Sequence, residues 1–348
     1  MILPFISIDI EPTNRCNASC YFCPRDQTPH QGLMSPETFE QSLRRAVDFR
    51  PFALEQLGKD VKVSLCGLGE PLLNKNTVGY VHKVREAGFE CSMASNGALL
   101  TEKVGNELLN AGLTSIQINV GERGEDYEEI YKLPWERTLE NVVRFGEMSK
   151  GRCETQIVLV NHRASVEHLQ SMVEFWRERG LEEFVLFDLI NRGGALFVDH
   201  MQYQDYEEQA AAKALLAEGR DAPVVCQAPF SLLFVGYDGQ YYLCCSDWKK
   251  EAPLGSVFEK SFVDVAGAKL AHVSGREPVC KSCNHDPLNR VTEELRLISR
   301  GEADQAALQG VLDDVLESDG VVREFVAATG TDPASVRPRR PLIPLRSV

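Results

Sequence analysis

Between residues 5 and 190 six short apolar runs alternate with five amphipathic ones, and this alternation limits the fold more than any other feature of the chain. "FISIDIEP", "VKVSLCG", "FECSMAS", "TSIQINV", "ETQIVLVN" and "EEFVLFDLI" read as strands. Between them, Ser35-Pro36 opens a helix ending near Arg50, and "NTVGYVHKVREAG" gives a second. Thr101 caps "EKVGNELLNAG", "ERTLENVVRFGEMSKG" follows, and Ser165 caps "VEHLQSMVEFWRERG". Ser and Thr suit N-caps, Pro suits a first helical turn, and Gly88, Gly112, Gly151 and Gly180 fall where helices stop. Repeated strand–helix units predict a parallel α/β fold, either a barrel, whole or partial, or an open doubly wound sheet. In both, the loops after the strand C-termini carry the site.

The alternation stops near residue 190. An acidic connector leads to "SLLFVGYDGQYYLCC", a hairpin turning at Asp238-Gly239. A short helix, "SFVDVAGAKLAH", precedes "PVCKSCNHDP". Residues from about 291 are helical and acidic, and the end is a Pro/Arg-rich tail. The expected division is 1–200, 201–290 and 291–348. A net charge of −14 disfavours nucleic-acid binding, which needs a positive field. No apolar run is long enough for a membrane helix, and the first residues lack a secretory leader, so the expected location is the cytoplasm. In a reducing compartment, eleven cysteines point to metal or redox chemistry rather than disulfides. The scattered Cys66, Cys91 and Cys153 read as small core residues.

"RCNASCYFC" sets Cys16, Cys20 and Cys23 directly after the first strand. A zinc site wants a fourth protein ligand, and His30, seven residues on and behind Pro29, is poorly spaced for it. Three thiolates on a four-iron cluster leave one iron open. The pattern C-x3-C-x2-C, with Phe22 before the last Cys, resembles the signature of the radical S-adenosylmethionine (SAM) enzymes. The resemblance implies a partial parallel (β/α)6 barrel and a 4Fe–4S cluster whose open iron binds SAM. It also implies reductive cleavage of SAM to a 5′-deoxyadenosyl radical. "CGLGEP" resembles the family's Gly-Gly-Glu motif, with Leu68 in the first glycine place, and assigns Gly67, Gly69 and Glu70 to SAM binding. "ASNG" ends the third strand and assigns Ser95 and Asn96 to the ribose. After the fourth strand the chain reads Ile118-Asn119-Val120-Gly121, where many relatives carry a Ser-x-Asp-Gly-like segment.

Cys226, Cys244, Cys280 and Cys283, in the form C-x12-G-x4-C followed by C-x2-C, resemble the twitch module, a shortened SPASM domain. The resemblance implies a second, auxiliary 4Fe–4S cluster with these four ligands. Taken alone, the same four suit a zinc ribbon. Cys245 is left over, as a replacement for Cys244 among the ligands, a packed thiol or a hydrogen-atom donor; strand alternation would put it on the face opposite Cys244. Asp188, Asn191 and Arg192 at the end of the sixth strand are candidates for substrate contact, Asp188 as a proton acceptor and Arg192 as an anchor. The expected substrate is a small polar molecule, such as a carbohydrate, aminocyclitol or nucleoside-like compound, undergoing oxidation, epimerisation or elimination. A flavodoxin or ferredoxin would be the electron donor. The alternatives are a peptide-modifying enzyme, which the chain's start at the first strand disfavours, and a zinc-stabilised α/β binding module.

Overall fold

A computed structural model describes residues 4–28, 30–161, 165–188 and 206–331. Strands β1 (Phe5–Ile10), β2 (Asp60–Leu65), β3 (Cys91–Ser95), β4 (Ser115–Asn119), β5 (Glu154–Asn161) and β6 (Glu183–Asp188) lie in sequence order, each parallel to the last. The helices between them are α1 (Pro36–Leu57), α2 (Thr77–Glu86), α3 (Glu102–Ala111), α4 (Gly124–Tyr131) with α5 (Trp135–Ser149), and α6 (Val166–Arg177). The sheet order is β6-β5-β4-β3-β2-β1-β7-β8-β9, and it does not close. This is the partial barrel that the resemblance implies, one of the architectures the alternation left open.

The two faces of the sheet differ in chemistry. Ile6, Ile8, Val61, Val63, Leu65, Met93, Ile116, Ile118 and Ile157 alternate onto one face, each at most 2% exposed. They form one core with Phe39, Leu43, Val84, Leu108, Val142 and Phe145 of the flanking helices. The strand registers place Ser7 and Asp9, Ser64, Ser92, Gln117 and Asn119, and Gln156 together on the other face. A sheet buried by helices on both faces would be apolar on both. Here the second face is the polar interior of the half-open barrel.

Two segments depart from expectation. Helix α1 continues past Arg50 through Pro51 to Gly58, whose φ of 60° ends it. Phe49 and Ala53 keep its inward face buried across the proline, and Phe49 packs on Phe52, Phe262 and Phe325. Helix α4 was not expected, being only eight residues long; it buries Tyr127 and Tyr131.

The C-terminal hairpin is built of β7 (Leu232–Val235) and β8 (Gln240–Tyr242), turning at Asp238-Gly239 as expected. It gains a third strand, β9 (Pro253–Ser256), so the expected two-stranded module has three strands. β7 also pairs in parallel with β1, so the module continues the barrel sheet. The remaining helices are α7 (Gln209–Ala217), α8 (Ala228–Ser231), α9 (Ala266–Gly275), α10 (Pro278–Lys281), α11 (Pro287–Ser299) and α12 (Gln305–Ala328). Helices α7, α11 and α12 share a small core around Ala212, Leu216, Val291 and Val315, while Val322, Phe325 and Val326 of α12 join the main one.

A buried ion pair fastens this module to the barrel. Glu11, at 0% exposure, follows β1 and accepts from the Lys250 ammonium at 2.9 Å. Its carboxylate also accepts from the Leu68 and Tyr237 amides, at 2.8 and 3.1 Å. The Lys250 ammonium lies 4.2 Å from the Tyr242 ring centre and 5.0 Å from that of Phe234, a favourable cation–aromatic placement. Lys250→Met strands a buried carboxylate, and a loss of about 3 kcal/mol in denaturant unfolding is expected. The double variant Glu11→Gln/Lys250→Met should recover part of it.

Candidate functional site

The loops after β1, β2, β3 and β4 meet at one edge of the sheet. Between β1 and the cysteines, Thr13 and Asn14 shape the chain. The Thr13 hydroxyl donates to the Gly32 carbonyl at 2.5 Å, and the Asn14 side chain bonds both the His30 carbonyl and the Gly32 amide. His30 thus contributes its backbone to the loop, and its side-chain region is exposed. The Ser19 amide donates to the Tyr131 carbonyl at 3.1 Å, and Phe22 meets the Tyr131 ring edge-on at 5.6 Å. Phe22 therefore holds the loop against α4. Cys16 and Cys23 stand near enough to Cys20 to disfavour its ionisation. Burial, with that repulsion second, pushes the Cys20 thiol up to about 12. Burial also raises Cys16.

The turn after β2 clamps this loop. The Glu70 amide donates to the Arg15 carbonyl at 2.8 Å. A side chain at Gly69 would put Cβ 2.3 Å from the Arg15 carbonyl oxygen and 2.6 Å from that of Thr13. Gly67 is excluded from substitution in the same way by Glu11, 2.5 Å away. The Glu70 carboxylate, 2% exposed, accepts from the Asn96 amide at 2.8 Å, the Ser95 hydroxyl at 3.0 Å and the Leu72 amide at 3.1 Å. It fixes the end of β3, and burial raises its pKa to about 7. Asn96 in turn donates to Asn17 at 2.8 Å, with the Cys16 sulfur 3.7 Å away. The structure thus brings together Cys16, Cys20, Cys23, Phe22, Gly67, Gly69, Glu70, Ser95 and Asn96, with the side chains of Glu70 and Ser95 engaged in protein contacts. On the β4 side, the Gly121 amide donates to the Tyr131 hydroxyl, and Glu122 bonds His168 at 2.9 Å.

Cys226, Cys244, Cys280 and Cys283 form the second group. Asn289, fully buried, donates its side-chain amide to the carbonyls of Cys280, Lys281 and Cys283, shaping the C-x2-C turn. Burial, with neighbouring thiols adding, raises all four; Cys226 is pushed up to about 12 and Cys283 to about 11. β8 ends at Tyr242, so Cys244 and Cys245 lie in a turn and strand alternation does not separate them. Both face Cys283. Cys245 also faces Cys66, which lies beside Asp9 at the interior end of β2. Cys91 and Cys153 are core thiols, as expected. The Asp188 backbone closes β6. Its side chain, Asn191 and Arg192 lie outside the described residues.

None of the eleven cysteines forms a disulfide. Among the described residues no group of three or more His, Cys, Asp or Glu is arranged to hold a single ion. A four-iron cluster takes its thiolates at separate corners, so it suits more widely set donors. All-thiol donors in reduced groups of three and four, beside fixed turns, fit one open and one closed cluster.

Sequence reasoning passed over Asp9, Glu11, Lys250 and Lys269. The last is 1% exposed and donates to the Pro229 carbonyl at 2.5 Å; burial lowers its pKa to about 8, against the opposing influence of Cys244, Asp9 and Cys245. Burial raises Asp9 to about 6. The chain does carry signals for them. Ser7, Asp9 and Glu11 interrupt an apolar strand at every second place, and Lys269 shares a helical stripe with Ala266, Leu270 and Val273.

Because Asp9 and Glu70 hold protons more tightly folded than unfolded, the empty protein loses stability as pH rises from about 4 to about 7. Denaturation across that range should show a shallower decline in Glu70→Gln. Cys16→Ala should lose the first cluster's iron, keep the second's, and form no 5′-deoxyadenosine, as read by iron and sulfide analysis and chromatography.

A family model described as "Radical SAM superfamily" matches residues 10–175, and one described as "Iron-sulfur cluster-binding domain", the SPASM domain, matches 226–284. A "Probable GTP 3',8-cyclase" of Methanothermobacter marburgensis is 32% identical over 181 residues, 51% of this chain and 55% of that protein. The chain thus spans about half the length of that relative. Among solved structures, Streptococcus suis SuiB bound to precursor peptide SuiA aligns with TM-score 0.57 at 15% identity, over 83% of this chain and 71% of that one. Native anSMEcpe with bound AdoMet and Cp18Cys peptide aligns with TM-score 0.56 at 15% identity, over 94% of this chain and all of that one. At such identities the likeness is one of fold. No helix among the described residues is long and apolar enough to cross a membrane. The motif loops, the partial barrel and the two matched models agree: this chain carries a radical SAM superfamily domain over residues 10–175 and a C-terminal SPASM iron–sulfur domain over residues 226–284.

Proposed function

We propose that the enzyme oxidises a small, hydroxylated polar molecule by removing a hydrogen atom from one of its carbons. The observation that carries this reading is the polar interior face, where Ser7, Asp9, Ser64, Gln117, Asn119 and Gln156 supply hydroxyl, carboxyl and amide groups. Several of these already bond one another: Ser7 donates to Asp9 at 2.6 Å, and Gln117 donates to Gln156 at 3.1 Å. A substrate rich in hydroxyls can exchange such contacts without leaving buried groups unsatisfied; an apolar one cannot.

When bound at Cys16, Cys20 and Cys23, the first cluster and SAM supply the 5′-deoxyadenosyl radical. The chain's own residues then determine what that radical meets. The Gly69–Glu70 turn and Asn96 fix the loop end facing the substrate chamber. Asp9, with its raised pKa and interior position, is suited to take a hydroxyl proton. Cys226, Cys244, Cys280 and Cys283 would hold the iron–sulfur group, which would supply an acceptor for the remaining electron. Cys245, between those thiols and Cys66, is suited to hydrogen donation if the product is an epimer instead. A flavodoxin or ferredoxin supplies the first electron.

Substrates deuterated at carbon, drawn from aminocyclitols, sugars and nucleosides, should transfer label into 5′-deoxyadenosine under anaerobic reduction. Oxidation predicts a product two hydrogens poorer and turnover that survives Cys245→Ala. Label transfer confined to peptide substrates would contradict the reading. Loss of turnover with retained SAM cleavage in Cys245→Ala would assign epimerisation.

A further inference from the structure

Helix α9 turns one stripe inward, and that stripe contains a charge. Ala266, Leu270 and Val273 are buried, and Lys269 between them is 1% exposed. Its ammonium donates to the Pro229 carbonyl at 2.5 Å. Pro229 lies in α8, three residues after Cys226. The ionisable groups that it faces are the Cys244 and Cys245 thiols and the Asp9 carboxyl. Among the described residues no carboxylate stands within ion-pair distance of it. A buried ammonium held by one carbonyl is an uncompensated charge, and such charges persist where an anion belongs beside them.

We propose that Lys269 is the counter-charge of the auxiliary cluster and tunes it to accept the substrate's electron. This rests on the reading that Cys226, Cys244, Cys280 and Cys283 ligate such a cluster. A four-iron core with four thiolates is a dianion when oxidised and a trianion when reduced. A fixed cation beside it stabilises the reduced form more, so it raises the reduction potential. The location serves the proposed oxidation: the ammonium bonds Pro229, three residues after Cys226, and its charge is felt by Cys244 and by Asp9 of the polar sheet face. The electrons balance as follows. The substrate gives a hydrogen atom to the deoxyadenosyl radical, then a proton to a base and an electron to the cluster. A C–OH carbon becomes a carbonyl, and a flavodoxin- or ferredoxin-class acceptor reoxidises the cluster. Lys269 is a positioning residue here, acting through the cluster without touching substrate.

The test is a redox titration of the fully reconstituted enzyme, followed by electron paramagnetic resonance. Wild type is compared with Lys269→Met, which keeps length without charge, and Lys269→Arg, which keeps charge. Lys269→Met should lower the reduced-to-oxidised ratio of the auxiliary cluster at fixed potential at least tenfold, a shift of about 59 mV. Lys269→Arg should stay near wild type, and the first cluster's midpoint should not move in either. An unchanged auxiliary midpoint in a loaded Lys269→Met enzyme overturns the proposal and leaves the cluster assignment standing. Failure of Lys269→Met alone to hold the cluster supports a need for charge; failure of both variants overturns it, because the side chain then acts through packing. Wild-type protein with zinc, or with no second cluster, instead overturns the ligand assignment on which the proposal rests.

Discussion

The site depends on one close passage of backbone past backbone. At Gly69 the turn after β2 runs so near the Arg15 and Thr13 carbonyls that no side chain fits, and the Glu70 amide bonds Arg15 there. The cysteine loop is a long excursion from β1, shaped from within by Thr13 and Asn14 and held on its far side by Tyr131. The contact ties that loop to the second strand, and the Glu70 carboxylate carries the tie on to the third through Ser95 and Asn96. Three loops far apart in sequence become one rigid rim, and three thiols keep a fixed relation to the barrel mouth.

Below that rim, the sheet's two faces do different work. The apolar face meets the helices and supplies most of the buried area that stabilises the fold. The polar face is a cost to folding that only a bound molecule, or the groups' own mutual bonds, can offset. β1 is where the two demands meet: it is central, paired on both sides, and still carries Ser7, Asp9 and Glu11 on one face. Glu11 is used structurally, with Lys250 sealing the C-terminal module to the barrel. Asp9 and Lys269 remain in the space between barrel and module, where substrate and second cluster would meet.

Much of this architecture is legible in the amino-acid sequence. The six strands and the helices between them have the periodicity of a parallel sheet, and the cysteine spacings are specific enough to mark two separate metal groups. The glycines of "CGLGEP" can be placed because a turn there must admit another backbone. What the sequence hides is of two kinds. The pairing of β7 with β1 joins residues more than two hundred positions apart, and no local pattern encodes that register. The continuation of α1 through Pro51 depends on Phe49 meeting Phe262 and Phe325, aromatic partners from distant segments that outweigh a local breaker. Asp9 and Lys269 lie in plain view as polar residues on apolar stripes. They escape a sequence reading because a single charge in such a stripe is ordinarily assigned to solvent.

The central claim is that the cluster held by Cys16, Cys20 and Cys23 keeps one iron for SAM. Electron paramagnetic resonance of the reduced, reconstituted protein, recorded with and without SAM, tests it most directly. The account predicts that SAM changes the g-values of this cluster in wild type and in a variant lacking the auxiliary ligands. A spectrum indifferent to SAM in both proteins would show every iron already coordinated by protein, and would contradict the account.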